Sequence, residues 1–267
     1  MAQRQNSRAS SNLQNSNLHL ITPDESDDGI LGVSEFTKNK NIWKALLAEC
    51  LGTFLLVFIG CGSCINMIEG DGGAIIKISF AFGLTIATVV QAIAHVSGGH
   101  INPAVTFSFV CTGDVKIVKG LCYLVVQCIG AIGGSGLLKL VVPDSKVGAF
   151  GLTDTHDSLS DVQGMVMEAA LTFMFLLVIQ GVCDAYRKDL KGSGPLAIGL
   201  AAVACHLTGI PYTGSSINPA RSFGPAVIMN HWHHHWIYWV GPLLGGGLAG
   251  VIYKILFKVR KDESYDL

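Results

Sequence analysis

The chain has 267 residues, of which half are hydrophobic and only 14% are charged, and its mean hydropathy is +0.47. A soluble domain carries about 25% charged residues, so the deficit argues against a soluble enzyme, and the apolar content argues against disorder over most of the length. With a formal net charge of −1, nucleic acid is not an expected partner.

Residues 1–42 are polar and rich in Ser and Asn, and read as a disordered cytoplasmic N-terminal tail. No apolar core with a cleavage site opens the chain, so no secretory signal peptide is expected. Arg4, Ser7, Arg8, Ser10 and Ser11 form a basic, serine-rich tract of the kind a kinase reads. Six segments then reach the roughly 20 mostly apolar residues that a spanning helix needs: 43–65, 76–95, 118–141, 162–183, 195–212 and 236–257. Two further apolar pieces, 102–111 and 218–229, are too short to span and suit re-entrant segments. Residues 259–267 are polar again and form a second cytoplasmic tail, whose last residues Ser264 to Leu267 weakly resemble a PDZ ligand. The reading is an all-α, multi-pass protein of the lipid bilayer with its channel domain at 43–258.

Basic residues collect at alternate connections: Lys38, Lys40 and Lys44; Lys116 and Lys119; Arg187, Lys188 and Lys191; Lys258, Arg260 and Lys261. The other connections hold Lys77, Lys139 and Lys146. The positive-inside rule then puts both termini in the cytoplasm and the acidic connection 144–161 outside. His231, His233, His234 and His235 fall near the outer end of the sixth span as loop residues, with a copper or zinc site as the alternative. His95, at the cytoplasmic end of the second span, is a candidate pH-sensing gate, with an exposed loop histidine as the alternative. All eight cysteines lie in apolar segments, so neither a disulfide framework nor a metal site at Cys61-Gly62-Ser63-Cys64 is expected. No cofactor and no nucleophile–base set is read from the chain.

The chain repeats itself. Ala48-Glu49 with Thr53-Phe54 returns as Met167-Glu168 with Thr172-Phe173; Asn102-Pro103-Ala104 returns as Asn218-Pro219-Ala220; Tyr123, Gly130 and Lys139 return as Tyr238, Gly245 and Lys254. Each unit, 43–141 and 162–258, holds three spans and one short piece. Three is odd, so the second copy enters the membrane upside down, an architecture that places its site at the midplane between half-helix N-termini. Asn is a favoured N-cap and Pro a favoured first helical residue. Two such starts meeting tip to tip, with small Ala104 and Ala220 allowing close approach, would make a positive centre with two Asn donors facing a passage. Glu49 and Glu168 are expected to accept hydrogen bonds from backbone that the bundle leaves unpaired.

The doubled Asn-Pro-Ala, together with Ser97-Gly98-Gly99-His100 before the first and Arg221-Ser222-Phe223-Gly224 after the second, resembles the aquaporins, the major intrinsic protein family. The resemblance implies six membrane helices plus two re-entrant half-helices, a homotetramer with one pore per subunit, and a place in the cell membrane. It also implies an outer selectivity filter at Phe82, His206, Ser215 and Arg221. Phe82 and His206 match the water-selective pattern, and Ser222, Ala226, Tyr238 and Trp239 agree with it. Ser215 departs from the Cys found in many relatives, which puts mercury inhibition there in doubt. Arg221 is a permanent charge at membrane depth, where such a residue normally lines a cavity. The implied function is a passive water-selective channel that excludes protons and ions; the alternative is a wider facilitator that also passes glycerol or urea.

Overall fold

The computed structural model describes residues 29–33, 39, 41–67, 73–187 and 192–259. Ser7, Ser10, Ser11, the 264–267 end and the basic residues Lys38, Lys40, Lys188, Lys191, Arg260 and Lys261 lie outside the described residues. The elements are α1 (Ile42–Gly62), α2 (Ala74–Ser97), α3 (Pro103–Thr112), α4 (Ile117–Val141), α5 (Asp161–Cys183), α6 (Gly194–Thr213), α7 (Pro219–Met229) and α8 (Ile237–Ile252), the last continued by one π-helical turn (Tyr253–Phe257). Six of these, all but α3 and α7, are long and apolar enough to cross a membrane. Every expected boundary lies within three residues of the observed one. The protein is a multi-pass, all-helical membrane protein.

Local chemistry explains where helices start and stop. Asn102 and Asn218 hold extended backbone (φ −160° and −154°) and cap α3 and α7, with Pro103 and Pro219 at the first helical position. Ser160 and Gln163 form a capping box at the start of α5. Gly98, Gly113 and Gly214 end α2, α3 and α6 in the left-handed conformation that a glycine adopts without a Cβ penalty.

Packing follows the internal symmetry. α1 lies on α4 as α5 lies on α8, and α2 crosses α6. Lipid tails are as apolar as Leu, so helices in a membrane associate through close packing of small residues. At the α2–α6 crossing, a Cβ on Gly83 would come 2.5 Å from the Gly199 carbonyl oxygen, and Gly199 is reciprocally closed by Gly83. A Cβ on Gly130 of α4 would strike the Cys50 carbonyl, and one on Gly245 of α8 the Ala169 carbonyl. The half-helices pack crosswise: α3 sits against α8 and α7 against α4, so each is seated on the last span of the other repeat. Leucine, isoleucine and valine remain on the outside, among them Leu47, Leu51, Leu121, Ile129, Leu244 and Leu248, which is the surface a bilayer solvates.

Candidate functional site

The two capped helix starts meet in the middle of the bundle. Asn102 Oδ1 accepts the Ala104 N–H at 2.8 Å, and Asn218 Oδ1 accepts the N–H groups of Ala220 (3.1 Å) and Arg221 (3.2 Å). The side-chain amides cross over: Asn102 Nδ2 donates to the Ile217 carbonyl at 2.8 Å and Asn218 Nδ2 to the Ile101 carbonyl at 2.9 Å. An amide NH₂ has two hydrogens. One from each Asn is therefore committed across the junction, and only the second is left for a passing acceptor. Ala104 and Ala220 are fully buried where the tips approach.

The crossing depends on an unusual backbone. Ile101 and Ile217 take φ of +46° and +47°, a region that costs a β-branched residue about 1–3 kcal/mol. The two buried glutamates hold it in place. Glu49 accepts from the N–H of His100 (2.9 Å) and of Ile101 (2.6 Å), from Ser97 Oγ (2.7 Å) and from Gln127 Nε2 (2.8 Å). Glu168 accepts from the N–H of Ser216 and of Ile217, both at 2.8 Å, and from Thr213 Oγ1 at 2.6 Å. Each carboxylate thereby satisfies backbone donors that no helix ladder reaches.

Phe82, His206 and Arg221 come together from α2, α6 and α7. The Phe82 and His206 rings stack with centroids 4.8 Å apart, and the Arg221 guanidinium carbon lies 4.7 Å from the Phe82 ring centroid. Gly60 of α1 makes room, since a Cβ there would run into the Phe82 ring. Arg221 Nη1 donates to the Gly151 carbonyl and approaches Cys61 Sγ at 3.9 Å, while its Nε has no partner among the described residues. His206 Nδ1 lies 2.8 Å from the Ala202 carbonyl, and its Nε2 is buried without a partner among the described residues. A carbonyl only accepts, so Nδ1 carries the proton in that contact, and a neutral ring presents Nε2 as an acceptor. In that tautomer the donors of this cluster belong to Arg221.

One cavity passes Phe82, His206 and Arg221, then Asn102 and Asn218, then Gly98, Gly99 and His100. From Phe82 to Gly98 along α2 is about 24 Å at 1.5 Å per residue, so the cavity follows most of a membrane thickness. Leu56, Ile86, Val105, Phe175 and Ile198 supply apolar lining of the same cavity. Ser215 is not among the lining residues: its hydroxyl turns to the Cys205 carbonyl at 3.4 Å. Cys205 also faces away, with Sγ directed at the Leu171 carbonyl of α5. His95 is exposed on the last turn of α2 and does not line the cavity; near the end of α2 the lining histidine is His100, bonded to Thr106 Oγ1 at 3.0 Å and stacked on Phe109. In the sequence His100 stood out only as part of the Ser97–His100 motif. Cys61 and Gly151 were missed because nothing in their neighbourhood points to Arg221.

Six spans, two crossed half-helices and a cavity lined by both repeats define a membrane channel built on an inverted repeat. A family model described as major intrinsic protein matches residues 35–253, and the chain belongs to that family. It is 49% identical over 218 residues to aquaporin-4 of Mus musculus, covering 80% of this chain and 68% of the relative. It is 41% identical over 239 residues to aquaporin-1 of Homo sapiens, covering 87% and 88%. Its fold matches that of the aquaglyceroporin from Plasmodium falciparum with a TM-score of 0.72 at 24% identity, over 80% of this chain and 96% of the other.

Proposed function

We propose that the protein is a passive, water-selective channel that excludes protons and ions. The observation that carries this reading is the contact of Phe82, His206 and Arg221 at one end of the cavity. Two aromatic rings leave little room beside a fixed cation, so a small neutral molecule is favoured over a larger solute. Arg221 and the two half-helix N-termini, each worth about +0.5 charge, oppose cations along the same route. The apolar lining offers no competing hydrogen bonds. Similarity to aquaporin-4 and aquaporin-1 supports the same reading. Glu49 and Glu168 are proposed as structural supports for the half-helices. The division into tails at 1–42 and 259–267 around the channel at 43–258, a place in the cell membrane with cytoplasmic termini, a homotetrameric assembly and a kinase acting on Ser7, Ser10 and Ser11 belong to the same proposal.

The test is stopped-flow light scattering on proteoliposomes holding the purified protein, with water and glycerol measured side by side and a pH-sensitive dye inside. Water flux above that of empty vesicles, without glycerol or proton flux, is the expected result. Glycerol flux that rises with water flux would favour the wider facilitator.

A further inference from the structure

A row of contacts leads from the passage along the connection between α4 and α5. The Gly151 carbonyl takes Arg221 Nη1, and Thr153 Oγ1 donates to Ser222 Oγ at 2.8 Å. The next two residues meet the histidine run between α7 and α8. Asp154 Oδ2 lies 3.2 Å from His231 Nε2, and Asp154 Oδ1 lies 3.5 Å from His233 Nδ1 and 3.7 Å from His234 Nδ1. Thr155 Oγ1 is 2.9 Å from His234 Nδ1, and His234 Nε2 is 3.1 Å from Asp161 Oδ1. Water passage does not call for three imidazoles around one carboxylate.

We propose that Asp154, His231, His233 and His234 form a binding site for a divalent transition-metal ion of the zinc or copper class. Imidazole nitrogen with carboxylate oxygen is the donor set these ions prefer, whereas magnesium and calcium prefer oxygen alone. Ligand atoms about 2.0–2.2 Å from a tetrahedral ion stand about 3.3–3.6 Å from one another. One ligand atom each from Asp154, His233 and His234 already lies within 4.8 Å of the others, so modest side-chain rotation closes the set. His234 has the outer support usual for a metal-bound imidazole. Its Nε2 faces Asp161, and an N–H given to that carboxylate leaves Nδ1 as a lone-pair donor that the Thr155 hydroxyl meets at 2.9 Å, a bond that ligation of the ion would replace. His235 is not part of the set, because its ring packs against Trp232 and Phe223 and its Nε2 meets Trp239 Nε1 at 3.1 Å. The His233 and Asp154 side chains are 63% and 43% exposed, open to a hydrated ion. An ion bound here joins the α4–α5 connection to the segment that follows α7.

The test is calorimetric titration of chelator-treated full-length protein in lipid nanodiscs with zinc alone, and then with magnesium alone. One zinc per subunit and no magnesium binding are expected. His233→Ala and Asp154→Asn should abolish zinc binding, Asp161→Asn should weaken it about tenfold or more, and His156→Ala should leave it unchanged. Water permeability of the same variants, expected to match wild type, shows that they are folded. No saturable zinc binding, or stoichiometric binding that survives both His233→Ala and Asp154→Asn, would overturn the proposal. Because the binding is read without any flux, it stands or falls separately from the water assignment.

Discussion

Asn102 and Ile217 stand 115 positions apart, yet the side-chain amide of the first donates to the carbonyl of the second at 2.8 Å. Asn218 and Ile101 repeat the contact at 2.9 Å. The two half-helix N-termini are thus joined directly to each other, and the surrounding spans hold them from outside. Left-handed isoleucines turn the accepting carbonyls inward, and Glu49 and Glu168 hold those isoleucines. The polar centre is one connected hydrogen-bonded unit drawn from both repeats.

Size selection is assigned to the ring pair. His206→Gly removes the imidazole stacked on Phe82 and leaves the central Asn pair untouched. Glycerol should then pass while water flux per channel persists, measured on proteoliposomes at matched protein density. A histidine with a purely packing role gives the opposite result: a cavity costing about 2–5 kcal/mol, less folded protein and no new solute.

Charge selection is assigned to Arg221. Arg221→Val removes the cation beside Phe82 and its tie to the Gly151 carbonyl. Proton leak should rise severalfold by internal pH dye while glycerol stays excluded by Phe82 and His206. Unchanged proton tightness would assign cation exclusion to the helix N-termini alone.

Glu168→Gln keeps the shape of the carboxylate but not its chemistry. The carboxylate accepts from Thr213 Oγ1 and from two backbone N–H groups, and a glutamine must turn an NH₂ toward at least one donor. The cost should be about 1–3 kcal/mol, read as a lower unfolding temperature in detergent. Water flux per folded channel should change little; a lost flux with normal stability would point instead to a role in permeation.

Mercurial block through the filter should be weak, and any residual block should track Cys183, which lines the cavity, or Cys61. The Cys61 thiol lies 3.9 Å from Arg221 Nη1, while Cys205 is turned to α5 and Ser215 has no thiol. Cys183→Ser and Cys61→Ser together should remove the residual inhibition of water flux and Cys205→Ser should not. The reverse pattern would mean that the α6 side of the site is misassigned.

Gly245→Ala should reduce the yield of folded protein, since its Cβ would strike the Ala169 carbonyl, a backbone atom that cannot turn aside. A cost of about 1–3 kcal/mol is expected for such overpacking. Gly62→Ala is the control: its Cβ would meet Leu138 Cδ1 at an ordinary 3.5 Å. Equal melting temperatures for the two variants in detergent would refute the close-packed crossing of α8 and α5.

The spans and half-helices were legible because hydrophobic length and the Asn-Pro start are local signals, and the repeat fixed their relation. Phe82, His206 and Arg221 were implied by the resemblance to the aquaporins, which carries that family's filter onto these positions. What the resemblance could not give is side-chain direction. His95 and His100 are five residues apart around the end of α2, and only the turn at Gly98 and Gly99 decides which one lines the cavity. The proton on His206 depends on the Ala202 carbonyl one helical turn back, a contact that composition does not encode. Positive φ at Ile101 and Ile217 is likewise hidden, because a β-branched residue carries no signal for that conformation. Asp154 and His233 are 79 positions apart, and no periodicity links them.

The crosswise seating of the half-helices has a consequence for biosynthesis. α3 ends at Thr112, but α8, against which it packs, begins only at Ile237. At about 5–20 residues per second, a ribosome needs on the order of ten seconds to supply that surface. During that interval α3 has neither its α8 wall nor the Ile217 carbonyl that later receives Asn102. A nascent chain carrying only the first repeat therefore holds about half of the passage lining and lacks the partners of both crossed Asn contacts.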